Sequence, residues 1–401
     1  MDPSRLPILP LVKERLFPAE RRFPPGVWIQ GVSVGEVQTA LDLAEALRKK
    51  RPALPLLLSA STPAGVALLR RKAASLSGEV DARAFPLDLP PAVKRFFDAV
   101  TPRVLVLIET ELWPSVLAEA GRREVPVLLA SARLSERSLR WYARARGVFS
   151  RALQAVTRVL ARTEEDAERF AALGIPADRI EVAGDLKLDR PLPPEPPFAP
   201  NVRLLAAGRP VLVAGSIADD EVPFVLEILD TLKRSGTETL LLLAPRRPES
   251  FRAVEADLVK RGKSVACRSR LEGASETPRP DVFLLDSLGE LGAAYRLGDV
   301  AILGGTFVPI GGHNLVEPLR AGLPTVLGPS RFGIRHLVEA AEGAAFPAPH
   351  AAGAAEIVAA LLGDPSRRRE AVATAERLFA RQAGALDRAA SAILDLLGDA
   401  E

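Results

Sequence analysis

Twelve short apolar runs alternate with helical patterns along this chain of 401 residues, six on each side of a proline-rich stretch. On the first side the runs fall at 27–29, 54–59, 104–108, 125–130, 159–161 and 180–182. On the second they fall at 211–214, 239–244, 264–266, 282–285, 300–303 and 325–327. Such runs are too short to be core helices. They are also too uniformly apolar for a strand with one wet face. Helical periodicity fills the gaps, as at 37–50 and 64–74. A β-α rhythm of this kind predicts an α/β fold of parallel sheets covered by helices on both faces.

Residues 191–200 hold six prolines in ten positions. Proline cannot supply the N–H that a helix interior or a central strand needs, so this stretch predicts a stiff linker. The expected organisation is a domain over 1–190, the linker over 191–200, and a domain over 201–401 that ends in helices. Two such domains on one linker make a cleft, and ligands favour domain interfaces.

With 48% hydrophobic and 26% charged residues, the chain has the composition of a soluble globular protein. Its one cysteine, Cys267, excludes an internal disulfide and a cysteine zinc site. Three histidines, His313, His336 and His350, argue against a histidine metal site, so no metal and no cofactor are expected. No apolar run reaches transmembrane length, and residues 1–10 lack a signal-peptide core. Residues 11–17 have the pattern of one or two amphipathic turns. Net charge is uneven: residues 1–190 carry 30 basic against 23 acidic groups, and residues 191–401 carry 23 against 27. A basic first half suits phosphates or an anionic membrane surface; a scattered solvated surface is the alternative. Nucleic acid is not an expected partner, because aromatics are sparse and no nucleic-acid motif is visible.

The richest segment is Gly304-Gly305-Thr306-Phe307-Val308-Pro309-Ile310-Gly311-Gly312-His313-Asn314-Leu315-Val316-Glu317-Pro318. It lies between a buried-strand pattern and a helix start. Its backbone N–H groups could approach a phosphate. Asn314 and Glu317, three apart on the first helical turn, could hold sugar hydroxyls. The alternative is a tight turn whose glycines serve geometry alone. In the first half, Gly31-Val32-Ser33-Val34-Gly35-Glu36 follows a strand pattern and opens a helix, which puts Glu36 at a sheet edge as either a general base or a helix cap. Glu109 and Glu111 follow another strand end. At i and i+2 they do not share a helix face and so are expected to have different jobs. Lys187, just before the linker, could face a negative leaving group or be an ordinary surface lysine. In the second half, Gly215-Ser216, Pro245-Arg246-Arg247 and Asp286-Ser287-Leu288-Gly289-Glu290 also follow strand patterns, and an arginine in such a turn suits phosphate recognition.

Taken in order, these landmarks resemble the Kdo (3-deoxy-D-manno-octulosonic acid) transferases of lipopolysaccharide biosynthesis. The matching segments are Ser33-Val34-Gly35-Glu36, Glu109-Thr110-Glu111-Leu112-Trp113-Pro114, Ser131-Ala132-Arg133-Leu134-Ser135, Gly184-Asp185-Leu186-Lys187-Leu188-Asp189, Pro245-Arg246 and Gly311 to Pro318. The resemblance implies a GT-B glycosyltransferase: two Rossmann-like domains with a cleft between them, the acceptor on the first and CMP-Kdo on the second. It implies an inverting, metal-independent transfer of Kdo to the lipid A precursor (lipid IVA) at the cytoplasmic face of the inner membrane, with peripheral attachment. By the same resemblance Glu36 is the general base, and Glu109 and Lys187 support the transition state. Pro245, Arg246, Leu288, Gly289, Glu290, Asn314, Leu315, Val316 and Glu317 bind CMP. Three departures from the family pattern stand out: family members usually begin with an apolar anchor that is not seen here, and Gln30 and Arg247 each occupy a position where histidine is common. Other readings are a GT-B epimerase acting on a UDP-sugar and a non-catalytic sugar-nucleotide-binding protein.

Overall fold

The computed structural model describes residues 8–17, 22–144, 146–271, 279–381 and 383–398. Among the described residues fourteen strands form two parallel sheets, each within its own unit. The first sheet holds β1 (Val27–Gly31), β2 (Leu56–Ala60), β3 (Val80–Ala84), β4 (Val104–Ile108), β5 (Val127–Ala132), β6 (Val156–Ala161) and β7 (Ile180–Val182). Their spatial order is β3-β2-β1-β4-β5-β6-β7. The second sheet holds β8 (Val211–Ile217), β9 (Leu240–Pro245), β10 (Val265–Cys267), β11 (Val282–Leu284), β12 (Val300–Leu303), β13 (Thr325–Leu327) and β14 (Ala345–Pro347), in the order β10-β11-β9-β8-β12-β13-β14. Every pairing is parallel, with Val27 opposite Val104 and Ala301 opposite Val213 as examples of register.

Each sheet is dry on both faces, which is why its strands read as continuous apolar runs. In the first unit Val27, Ile29, Leu58, Val104 and Val106 join one core, with Leu41, Leu43 and Leu47 of the helix Val34–Lys50. Trp28, Leu57, Leu105 and Leu107 join the other, where Trp28 sits among Phe85, Phe96 and Phe97. The expected strands are present, with ends shifted by a few residues. β3 and β14 were not anticipated. Both are edge strands, and β3 alternates small apolar with charged residues, Asp81 and Arg83 being paired at 2.9 Å. An edge strand needs less burial, so its sequence signal is weaker.

Two boundaries differ from expectation. The first unit comprises Met1–Arg190 together with Gln382–Glu401, and the second comprises Pro191–Arg381. The last helix, Ala385–Leu397, thus leaves the 201–401 domain proposed from sequence and buries Leu386, Ala389, Ala390 and Ile393 in a core of the first unit. Asp189 anchors its start by accepting from the N–H groups of Gly384 (3.1 Å) and Leu386 (2.9 Å). Arg103 donates to the Leu397 carbonyl at its end (2.8 Å). The proline stretch is not a free spacer either. Arg296 donates to the Pro193 carbonyl (2.7 Å), and Phe198 is buried against Phe283 beneath the Arg268 guanidinium.

Near the chain start, the helix Ile8–Leu16 docks on the first unit. Leu11 is buried, and Arg15 donates to the carbonyls of Phe85 (2.9 Å) and Ser61 (3.3 Å). Leu9 and Phe17 stay exposed. Among the described residues no helix is long and apolar enough to cross a membrane.

Candidate active site

In an open α/β sheet, ligands sit beyond the C-terminal strand ends where the strand order reverses. In the first sheet that point lies between β1 and β4. Glu36 follows β1, and Glu109 and Glu111 follow β4, so the sequence candidates are carried to the two sides of one crevice.

Glu36 is the third residue of its helix. Ser33 is the N-cap, accepting from the Glu36 N–H (3.4 Å). In return the Glu36 carboxylate accepts from the Ser33 hydroxyl (3.0 Å) and the Val32 N–H (2.6 Å). Ser33 caps the helix, but the Glu36 carboxylate takes the Val32 N–H and the Ser33 hydroxyl rather than the N-cap N–H of a full capping box. A carboxylate has about four acceptor sites, so two bonds hold its orientation and leave capacity for a substrate hydroxyl.

Glu109 has a left-handed backbone, φ 64°, unusual for a residue with a side chain. Its N–H donates to the Ala130 carbonyl (2.9 Å), and its carboxylate forms an ion pair with Lys187. The Lys187 segment is braced from below. Asp185 accepts from the Lys187 N–H (3.0 Å), the Ser131 hydroxyl (3.2 Å) and Arg162 (3.2 Å). Ser131 is itself left-handed, φ 54°, beside an irregularity in the β5–β6 pairing. Backbone strain of this kind persists only where surroundings over-determine it, and it clusters at functional sites.

Glu111 is the residue that reading the sequence left without a role. Its carboxyl accepts from the Trp113 indole N–H (2.5 Å). Burial, then the nearby Glu36 carboxylate, and also Glu109, push it up to about 8, against the lowering effect of Trp113. It is therefore protonated at neutral pH. The crevice then holds the carboxylates of Glu36 and Glu109, the Lys187 ammonium, and one neutral acid.

Gln30, a departure from the family pattern, is fully buried beneath this edge. Trp28 donates to Ser59 (2.7 Å), Ser59 to the Gln30 carbonyl (2.5 Å), and the Gln30 amide to Ser61 (3.0 Å). Its work is internal: it keeps the polar groups of β1 and β2 satisfied.

In the second sheet the strand order reverses between β8 and β12. The glycine-rich loop follows β12. Gly304 is there because space requires it: a Cβ would lie 2.1 Å from the Ser216 carbonyl oxygen. The expectation that the loop's N–H groups serve a phosphate needs correction. Gly305, Thr306 and Phe307 donate instead to Glu221, a buried carboxylate ahead of the helix Val222–Arg234. Asp219-Asp220-Glu221 carries no motif that marks Glu221 out before its burial is seen. The helix after the loop is also only Val316–Arg320, and Asn314 lies ahead of it, accepting from the Val316 N–H (3.1 Å).

Arg246, at the end of β9, donates to His313 (2.7 Å to Nδ1). Burial first, and then the guanidinium, push His313 down to about 4, so the ring is neutral and accepts. Glu317 lies near Gly292 and near the buried Tyr295 hydroxyl, whose proton is held tightly by burial and by that carboxylate. Glu290 accepts from Arg268 (3.0 and 3.1 Å) and from Ser287, while Leu288 is exposed and Gly289 has φ 82°. Pro245 closes β9. Arg247, the other departure, pairs with Asp219 at the surface. Thus Arg246 and His313 are brought together, and Glu317 approaches Gly292 in the short helix Leu291–Ala294, two residues from Glu290. Among the described residues no group of three or more His, Cys, Asp or Glu side chains is placed to hold a metal ion.

A family model described as 3-deoxy-D-manno-octulosonic-acid transferase (kdotransferase) matches residues 11–190. Over nearly the whole chain there is 37% identity to the 3-deoxy-D-manno-octulosonic acid transferase of Bordetella pertussis, covering 93% of this chain and 87% of that protein. The Haemophilus influenzae protein of the same name is 32% identical, with 93% and 87% covered. The Aquifex aeolicus one is 31% identical, with 84% and 86% covered. Among solved structures, UDP-GlcNAc 2-epimerase from Neisseria meningitidis bound to UDP-GlcNAc superposes with a TM-score of 0.60 at 12% identity, over 92% of this chain and all of that one. A putative UDP-N-acetylglucosamine 2-epimerase from Listeria monocytogenes gives 0.61 at 13%, over 94% and 97%. Likeness at that identity shows the GT-B fold alone.

Proposed function

This chain belongs to the 3-deoxy-D-manno-octulosonic acid transferase family, and from that premise we propose that it moves Kdo from CMP-Kdo to a lipid A precursor, lipid IVA, in lipopolysaccharide synthesis. The observation that carries this reading is the convergence of Glu36 and of the Glu109–Lys187 pair on Glu111 at the reversal point of the first sheet, in a chain 37% identical to a named Kdo transferase.

Glu36 takes the proton from a primary hydroxyl of the acceptor as that oxygen bonds to the anomeric carbon of Kdo. The bond from this carbon to the CMP phosphate oxygen breaks, and CMP leaves with the electron pair. Attack opposite the leaving group inverts the anomeric centre. In the second unit Arg246 stabilises the charge growing on the phosphate, and in the first unit Lys187, held in place by Glu109, supports the transition state. The Glu221-bound turn has its N–H groups occupied, so the single phosphate of CMP falls to Arg246 and to the segment from His313 onward. Pro245, Leu288, Gly289, Glu290, and Asn314 to Glu317 frame the nucleotide. No step calls for a metal or a redox cofactor, because CMP already activates the sugar.

The acceptor is a lipid, so the first unit works at a membrane surface as a peripheral protein, at the cytoplasmic face of the inner membrane. Lys13 and the exposed Leu9 and Phe17 offer a contact there, whereas Arg15 is spent on internal carbonyls. The sequence also places apolar residues at Leu6, Ile8, Leu11 and Leu16 near this end; Leu6 lies outside the described residues, and Leu11 is buried. Attachment is electrostatic, at about 1 kcal/mol per basic residue near an anionic surface. Sedimentation with anionic vesicles should show binding that weakens with salt and with Lys13→Glu; binding that persists in high salt would contradict it.

Calorimetric titration with CMP and UDP tests the donor. CMP should bind and UDP should not. The reverse preference would favour a UDP-sugar epimerase.

A further inference from the structure

Glu221 has no accessible surface, yet the reaction just described makes no use of it. Its two oxygens accept four hydrogen bonds, all from backbone N–H groups. Oε2 takes Ala218 (2.9 Å) and Gly305 (2.7 Å), and Oε1 takes Thr306 (3.0 Å) and Phe307 (2.9 Å). Three successive N–H groups aimed at one point form an anion-binding concavity. In this protein the anion is built in. It comes from the connection after β8, across the reversal point from the turn that it fills.

What the turn carries is the reason this matters. The Gly305 carbonyl accepts from Gly312 (2.7 Å), and the Gly304 carbonyl accepts from His313 (3.2 Å). Thr306 accepts from Gly328 through its hydroxyl (2.8 Å) and from Ser330 through its carbonyl (2.9 Å). A continuous set of hydrogen bonds thus runs from Glu221, through the turn, to the start of the His313–Glu317 segment. With its own oxygens pinned on four sides, the Glu221 carboxylate has one geometry to impose, and the turn inherits it.

We propose that Glu221 is a positioning residue of the donor pocket, an internal anion that locks the Gly305–Phe307 turn and thereby sets where His313, Asn314 and Glu317 meet the nucleotide. This rests on the reading of that segment and Arg246 as the CMP pocket. The alternative is a purely structural glutamate, whose loss would lower stability everywhere and leave the folded fraction binding CMP normally.

Glu221→Gln separates the two. Its amide keeps the size but presents an NH₂ to N–H donors and removes the charge. In the full chain, hydrogen exchange should quicken at the peptide spanning the turn while β12 itself stays protected. CMP affinity should fall by about tenfold or more, the equivalent of one charge-assisted contact. The donor KM should rise with kcat changed far less. If the Gln variant does not fold, Glu221→Asp decides by the same readouts, since it keeps the charge but withdraws it by one methylene. Arg246→Ala tests the underlying pocket separately. If Arg246→Ala weakens CMP binding and the Glu221 variant binds CMP as wild type does, the positioning role is overturned and the pocket stands. If Arg246→Ala leaves CMP affinity unchanged, the pocket itself is wrong and the proposal goes with it.

Discussion

Glu36 lies in the field of Glu111 while its own oxygens are held by Ser33 and Val32. Glu109 is paired with Lys187, and Glu111, raised by burial and then by Glu36, is the acid that holds its proton in this cluster. Around Glu111 stand Glu36 from the helix after β1, Glu109 and Trp113 from its own loop, and Tyr142, whose phenol is raised by burial and by Glu111. The linkage sign follows from these groups. Folded Glu111 titrates near 8 and the unfolded carboxyl near its ordinary 4.5, so between those values the folded state binds the extra proton. Stability from this group is complete below 4.5 and is lost as pH rises through 8. Denaturant unfolding at pH 5, 6.5 and 8 should therefore show wild type losing stability relative to Glu111→Gln across that window; parallel profiles would contradict the assignment. Glu36 and Glu109 were legible as candidates because strand ends are. The protonated state of Glu111 was not, since it depends on burial and on carboxylates brought from another strand.

The glycine-rich loop shows the same division at the scale of an element. Its place after a strand, its glycines and its His-Asn-Glu content were plain in sequence. Which N–H groups remained for a ligand was not, because the answer lies with a buried glutamate more than eighty positions earlier. Edge strands β3 and β14 escaped for a different reason: one alternates with charge and the other ends in proline, so neither carries the apolar run of a central strand. If the loop and the β9 end form the CMP pocket, Arg246→Ala and Glu317→Ala should each weaken CMP binding. A charge-assisted contact is worth roughly 1.5–3 kcal/mol, on the order of tenfold to a hundredfold. Unchanged calorimetric affinity in both variants would remove the pocket. Arg247→Ala, which loses only a surface pair with Asp219, should have little effect on folding.

At the scale of the whole molecule, a β-α rhythm broken by six prolines announced two parallel-sheet units, and both are present. Helices were expected at the chain end, but which sheet would receive them was not legible. Periodicity reports that an apolar face exists, whereas its partner is set by tertiary packing, here by Asp189, Arg103 and the core around Leu41 and Leu43. Deleting residues 382–401 should thus destabilise the first unit. Each large apolar side chain it uncovers is worth about 1.5–3 kcal/mol. Hydrogen exchange should quicken in β1, β2 and β4 while β8, β9 and β12 keep their protection; equal loss in both units would contradict the assignment of this helix. The central claim is Kdo transfer from CMP-Kdo with Glu36 as base. Its most direct test is mass spectrometry of lipid IVA incubated with CMP-Kdo, EDTA and either wild type or Glu36→Gln. Wild type should add the mass of Kdo, and Glu36→Gln should do so about 10²–10⁴-fold more slowly while binding CMP normally. No mass gain with wild type, or near-normal turnover by Glu36→Gln at saturating acceptor, would contradict it.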